Sequence, residues 1–207
     1  MKKLTLLLIA GLLLLPLWAN ANTYLGNGVL NVDWSGPTNY YFLDYDGTVK
    51  SSNFGYTTSG AVEIFCVSSQ NASDYDANYS FYTIDAGTAL SKAAWIADNW
   101  TTFATAGTDM DILKGEAQKA VWEIMGVAHL LGTDGMDVFF YNLAIQQENY
   151  VTKNWIYAQN PVVGQTSAGL GLQDYLTPYS AVPEPASLFL FGLGLLGLAG
   201  VGRRKKK

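Results

Sequence analysis

The chain has a single cysteine, Cys66, among its 207 residues, so no disulfide within it can hold the fold together. An apolar core has to do that work. The N-terminus makes this notable. Lys2 and Lys3 form a basic n-region, Leu4 to Leu17 an apolar h-region, and Ala19-Asn20-Ala21 a small-x-small cleavage site. That order is a secretory signal, and cleavage is expected after Ala21. Exported proteins usually carry cysteines in even numbers and pair them. A lone cysteine in such a chain is an inert buried hydrophobe, half of an intermolecular bridge, or a thiol with chemistry of its own.

The C-terminus reads as a second address. Val182-Pro183-Glu184-Pro185-Ala186-Ser187 opens it, an apolar run from Leu188 to Gly202 follows, and Arg203-Arg204-Lys205-Lys206-Lys207 closes it. The two prolines keep the opening extended. The run is near the short limit of a bilayer span, roughly 17–25 residues. Its glycines allow close helix packing, and the basic end would stay on the cytoplasmic side. This order resembles the PEP-CTERM sorting signal of Gram-negative bacteria. The resemblance implies an exosortase-type transpeptidase as partner, with Pro183, Glu184 and Pro185 as the motif it reads. It also implies an inner-membrane-anchored precursor, cleaved near the motif and delivered to the cell surface or a polysaccharide matrix.

The expected organisation is therefore a signal peptide over 1–21, an extracellular domain over 22–180, and a sorting segment over 181–207. The middle is long enough for one domain with a sizeable core. It is also strongly acidic. Between Asn22 and Val182 there are 5 Lys or Arg against 16 Asp or Glu, a net of −11 with histidine neutral. Such a charge argues against nucleic acid and against anionic membrane surfaces as partners.

Hydrophobic patterning divides the domain. Asn39 to Leu43, Val49 to Tyr56, Gly60 to Ser68 and Asn78 to Ile84 are rich in aromatic and β-branched residues and read as strands. Asp44-Tyr-Asp-Gly47 and Thr57-Thr-Ser-Gly60 read as turns between them. The middle is helical. Thr88 is a candidate N-cap for Ala89 to Trp100, with Leu90, Ala93, Ala94, Ala97 and Trp100 at helical spacing. Ala117, Ala120, Val121, Ile124, Met125 and Ala128 form the strongest apolar stripe, with Gly132 as its expected stop. Thr133 or Asp134 would cap a third helix reaching Gln147. Strand character returns at Asn154 to Ala158 and weakly at Leu172 to Thr177. The predicted class is α+β: an antiparallel, sandwich-like sheet with a helical insertion.

Cys66 lies in Ala61-Val-Glu-Ile-Phe-Cys-Val67, where alternation puts Val62, Ile64 and Cys66 on one face and Phe65 and Val67 on the other. Both faces are largely apolar, which predicts a buried central strand. Four short segments then follow in order: Ile64-Phe65-Cys66-Val67, Ala93-Ala94-Trp95-Ile96, Ala117 to Ile124, and Leu172-Gln173-Asp174-Tyr175-Leu176. In that order they resemble the thioester domains of bacterial surface adhesins. The resemblance implies an internal thioester between Cys66 and a glutamine side chain. Gln173 is the best match and Gln159 the runner-up, with Gln118 and Trp122 in supporting roles. Formation of that bond requires a carboxamide held at attack distance, donors for the developing oxyanion, and exclusion of water. The product is an electrophile for an amine or hydroxyl on a surface or matrix polysaccharide or protein.

Other chemistry is poorly represented. His129 is the sole histidine, so no zinc site with two histidines can form. It is expected half-exposed on a helix. The D-x-D pairs Asp44/Asp46, Asp74/Asp76 and Asp109/Asp111 lack the remaining ligands of a calcium loop and read as turn formers. No Walker loop, hydrolase elbow or zinc-protease motif is present. Neither a catalytic residue nor a cofactor is expected, and an adhesion or structural module is favoured over an enzyme. Six Trp and 13 Tyr support a second reading, a non-covalent exopolysaccharide-binding or calcium-dependent matrix protein.

Overall fold

The computed structural model describes residues 22–34, 45–68, 76–129, 131–133, 135–161 and 173–180. The predicted signal peptide, the strand expected at Asn39 to Leu43, and the sorting segment lie outside these residues.

Among the described residues, six strands close into an antiparallel barrel: β1 (Tyr24–Trp34), β2 (Tyr45–Ser52), β3 (Val62–Cys66), β4 (Ala77–Tyr82), β5 (Trp155–Gln159) and β6 (Tyr175–Pro178). Their order around it is β1-β2-β3-β6-β5-β4. Three helices are inserted between β4 and β5: α1 (Ala89–Asn99), α2 (Met110–Ile124) and α3 (Met136–Ala144). The α+β class, the antiparallel sheet and the helical insertion match expectation. The sandwich-like arrangement does not. The strand that closes the barrel is β1, which the patterning did not predict. It pairs with β2 on one side and β4 on the other. Its glycines and asparagines imitate a turn, but they serve close approach. A Cβ on Gly28 would stand 2.4 Å from the Ser51 carbonyl oxygen, so only glycine lets the neighbouring backbone come this near. A second correction concerns 44–47. Tyr45 to Gly47 continue β2, paired with Val32 to Trp34 of β1 and with Val62 to Ile64 of β3. Cross-strand partners on both sides outweigh local turn propensity.

Strand alternation separates two cores. Leu30, Val32, Tyr45, Val49, Ile64, Cys66, Tyr79, Phe81, Ile156, Ala158 and Tyr175 fill the barrel. Phe65, Val67, Trp155 and Leu176 face outward and are covered by the helices. The Phe65 ring meets Trp155 edge-on at 5.7 Å and Trp100 at 6.5 Å. The Lys114 ammonium lies over Phe65, 4.6 Å from its centroid.

The helices start and stop for identifiable reasons. Thr88 caps α1, its hydroxyl accepting from the Ser91 N–H while the Ser91 hydroxyl accepts from the Thr88 N–H. Asp109 caps α2 by accepting from the N–H groups of Asp111 and Ile112. The Asp109/Asp111 pair is thus a helix start. The α2 helix ends at Ile124, short of the expected Gly132. Gly126 adopts φ +67°, and its N–H reaches the Glu123 carbonyl while Val127 N–H reaches that of Trp122. This is a Schellman stop. His129 consequently lies beyond the helix and is exposed, 3.0 Å from Glu123. The third helix begins at Met136 after Gly135, later than the predicted Thr133 or Asp134 cap, and ends at Ala144. Between the layers, the Asp98 carboxylate accepts from Tyr150, Thr152, Asn154 and the Trp155 indole. It fixes the end of α1 to the segment entering β5.

Candidate functional site

Cys66 is the last residue of β3 and is fully buried. It points into the barrel at the end where β1, β3 and β5 finish and β2, β4 and β6 begin. The β2–β3 ladder runs only to the Tyr45–Ile64 pair among the described residues. Beyond it, the Cys66 peptide edge facing β2 needs other partners. Gln118 of α2 supplies them. The Cys66 N–H donates to Gln118 Oε1 at 3.0 Å, and Gln118 Nε2 donates to the Cys66 carbonyl at 2.7 Å. One fully buried side-chain amide thus completes the ladder.

On its other edge β3 pairs with β6, Cys66 opposite Tyr175. The ladder continues as Val67 N–H donates to Asp174 O at 2.9 Å and Asp174 N–H to Ser68 Oγ at 2.8 Å. Gln173 lies two residues before Tyr175. Strand period therefore puts it on the same inner face, diagonal to Cys66, a relation of about 7–8 Å between backbones that long side chains bridge. Gln173 is half-buried. Three tyrosines from three strands converge on it. Tyr175 OH donates to Gln173 Oε1 at 2.9 Å, Tyr79 OH donates to the Gln173 backbone carbonyl at 3.1 Å, and Tyr45 stands against the Tyr175 ring. Their rings touch, with centroids 5.7 Å apart for Tyr45 and Tyr175 and 6.2 Å for Tyr79 and Tyr175.

Trp122 sits one turn along α2 from Gln118. It packs with the barrel interior beside Val127, which the Schellman stop turns back toward it. Burial pushes the Cys66 thiol up to about 11, and its contacts with Ser68 and Trp122 offset only part of this; the thiol donates to the Ser68 carbonyl at 3.3 Å. Burial likewise raises Tyr45 and Tyr175 well above the ordinary phenol range. All three groups are therefore protonated at neutral pH.

The structure sets Gln118 on the Cys66 peptide, packs Trp122 into the same barrel core, and places Gln173 two residues before Tyr175, the β6 partner of Cys66. It sets Gln159 apart. Trp155, Tyr157 and Gln159 form the outer face of β5, opposite Ile156 and Ala158, and Gln159 is exposed. Tyr45 and Tyr79 were not singled out in the sequence. Their signal was alternation, since each shares the inner face of its strand with other core residues. Asp174, next to Gln173, points away from the barrel and accepts from Tyr157 OH at 2.8 Å and Asn160 N–H at 2.7 Å. Burial raises its pKa. Among the described residues no cluster of three or more His, Cys, Asp or Glu side chains is placed to hold a metal. No described helix is long and apolar enough to cross a membrane.

Comparison with known proteins places one part of the chain. Residues 181–206 match the PEP-CTERM protein-sorting motif. The chain therefore carries the address of an exported surface protein targeted to an exosortase. The match does not extend into the barrel domain. No curated protein matches the chain. No solved structure matches it.

Proposed function

We propose that this surface protein is a covalent adhesion module in which Cys66 and Gln173 form an internal thioester that an amine or hydroxyl on a partner surface opens. The observation that carries the reading is that Cys66 ends β3 facing into the barrel while Gln173 leads into β6, the strand paired with it, at the same end of the barrel. Each is held by its own set of hydrogen bonds, Gln118 on the Cys66 peptide and Tyr175 and Tyr79 on Gln173. A protonated, buried thiol is a poor nucleophile toward reagents in solution. Toward a carboxamide fixed beside it the reaction is intramolecular, and proximity replaces basicity as the driving factor. Tyr45, Tyr79, Tyr175 and Trp122 keep water from the acyl carbon, which slows hydrolysis. The partial exposure of Gln173 leaves the acyl group reachable from outside. The fold uses this chemistry once, to join the protein to a partner, and turns nothing over. Amines or hydroxyls of matrix polysaccharide or surface protein are the acceptors in this reading.

The intact mass of the exported, processed protein tests it. The expected mass is one ammonia below that of the sequence, and Cys66→Ala restores the full value. Cys66 should resist alkylation in denaturant until methylamine opens the bond, and peptide mapping should then find the amine on Gln173. A full-mass protein whose Cys66 alkylates on denaturation alone would identify an inert core cysteine. The adhesive role would then rest on non-covalent contacts.

A further inference from the structure

We propose that Tyr175 is the oxyanion donor of this site, with Tyr45 and Tyr79 as positioning residues that aim the Gln173 carboxamide at Cys66. The inference rests on the thioester reading and goes on to assign the group that makes the acyl carbon reactive. Tyrosines from β2, β4 and β6 gather around a single glutamine, and the hydroxyls of Tyr175 and Tyr79 divide its two carbonyl oxygens between them. Tyr175 holds the carboxamide oxygen at 2.9 Å. Tyr79 holds the backbone carbonyl at 3.1 Å, which fixes the residue without touching the reacting group. The Tyr45 ring packs edge-on against the Tyr175 ring, centroids 5.7 Å apart, and so holds the donor from the β2 side. The ring packing among Tyr45, Tyr175 and Tyr79 locks the three hydroxyls in turn.

The step balances without an oxidant or reductant. The Cys66 sulfur bonds to the Gln173 side-chain carbonyl carbon, and charge develops on Oε1. The carbon–nitrogen bond then breaks, the thiol proton ends on nitrogen, and ammonia leaves. Tyr175 keeps its own proton throughout and stabilises Oε1 where the charge appears. Opening by an amine passes through a tetrahedral centre at the same carbon. The same hydroxyl therefore accelerates formation and opening alike. Removal of one preorganised oxyanion donor slows such reactions on the order of 100-fold or more.

The test compares the exported protein with its Tyr175→Phe and Tyr56→Phe variants. Tyr56 is a control at the far end of the barrel, where its hydroxyl bonds the Pro178 carbonyl. Mass spectrometry follows methylamine opening over time. The expected result is opening about 100-fold slower in Tyr175→Phe, with wild type and Tyr56→Phe within a few-fold of each other. A folded Tyr175→Phe protein that retains its ammonia also supports the assignment, because the acyl step has then stopped. Opening of Tyr175→Phe at the wild-type rate would overturn the role of Tyr175 and leave the thioester standing. A wild-type protein of full mass would overturn the thioester reading itself, and this proposal with it. Should Tyr175→Phe fail to fold, 3-fluorotyrosine at position 175 keeps the ring and makes the hydroxyl a stronger donor. Faster opening is then expected, and an unchanged rate would reject the assignment.

Discussion

Burial moves the Cys66 thiol from an ordinary value of 9.0 up to about 11, and this has a consequence for stability. Between those two values the folded protein keeps a proton that the unfolded chain has released. The stability contributed by the free thiol is therefore fully present below pH 9 and is lost as pH rises toward 11. The slope is at most ~1.4 kcal/mol per pH unit. Tyrosines titrate in the same range, so the quantity to measure is the difference between wild type and Cys66→Ala in urea unfolding across this window. A free thiol gives that difference, whereas a thioester has no proton to lose and gives none. The experiment thus reads the state of Cys66 without a mass measurement. Cys66 stood out in the sequence as the one cysteine, on an apolar strand, and Gln118, Trp122 and Gln173 through the resemblance of their short segments to thioester domains. Tyr45 and Tyr79 did not, because 34 positions separate them and they meet only when the barrel closes. In a chain with 13 tyrosines nothing marks these two beforehand.

Among the elements, α2 does the most to build the site. It carries Gln118 to the Cys66 peptide and stops at Gly126, so that Trp122 lies over the barrel end. The apolar stripe announced the helix but overran its end, since Ala128 fits the period and the chain has already turned. Helix stops are set by backbone conformation, which periodicity does not record. The missing β1 has a parallel cause. Its glycines signal a turn in isolation and close packing in context. The Asp98 staple is a test of how the two layers hold together. Asp98→Ala leaves the Trp155 indole and the Thr152 hydroxyl without their acceptor. It should cost about 2–3 kcal/mol in chemical unfolding. The loss should be accompanied by faster hydrogen exchange in residues 150–155 and at the end of α1, with the Cys66 and Gln118 amides still protected. Uniform loss of protection would show instead that the layers do not open separately.

At the scale of the whole molecule, the barrel has two unlike ends. Cys66 and Gln173 occupy one. The other holds the start of β1, the turn at Asn53 to Gly55, and the exit of β6. There Tyr179 N–H donates to the Asn154 carbonyl and the Tyr179 ring packs on Tyr56. The sorting motif follows directly from this second end, at residue 181. Deleting residues 181–207 should leave the domain folded yet release it to the medium or the periplasm. Surface labelling and fractionation check this, and undiminished surface display of the shortened protein would count against sorting by the motif. The polarity also decides how the molecule would meet a pull. A partner joined to the Gln173 acyl group and a cell holding residue 181 are connected through residues 173–180 alone. Half of that stretch is β6, already extended at ~3.3 Å per residue and with little slack to give up. Tension between cell and partner would run down this one strand as down a cord, and no other strand or helix is in series with it. The rest of the fold could unravel under flow and the covalent link would still hold.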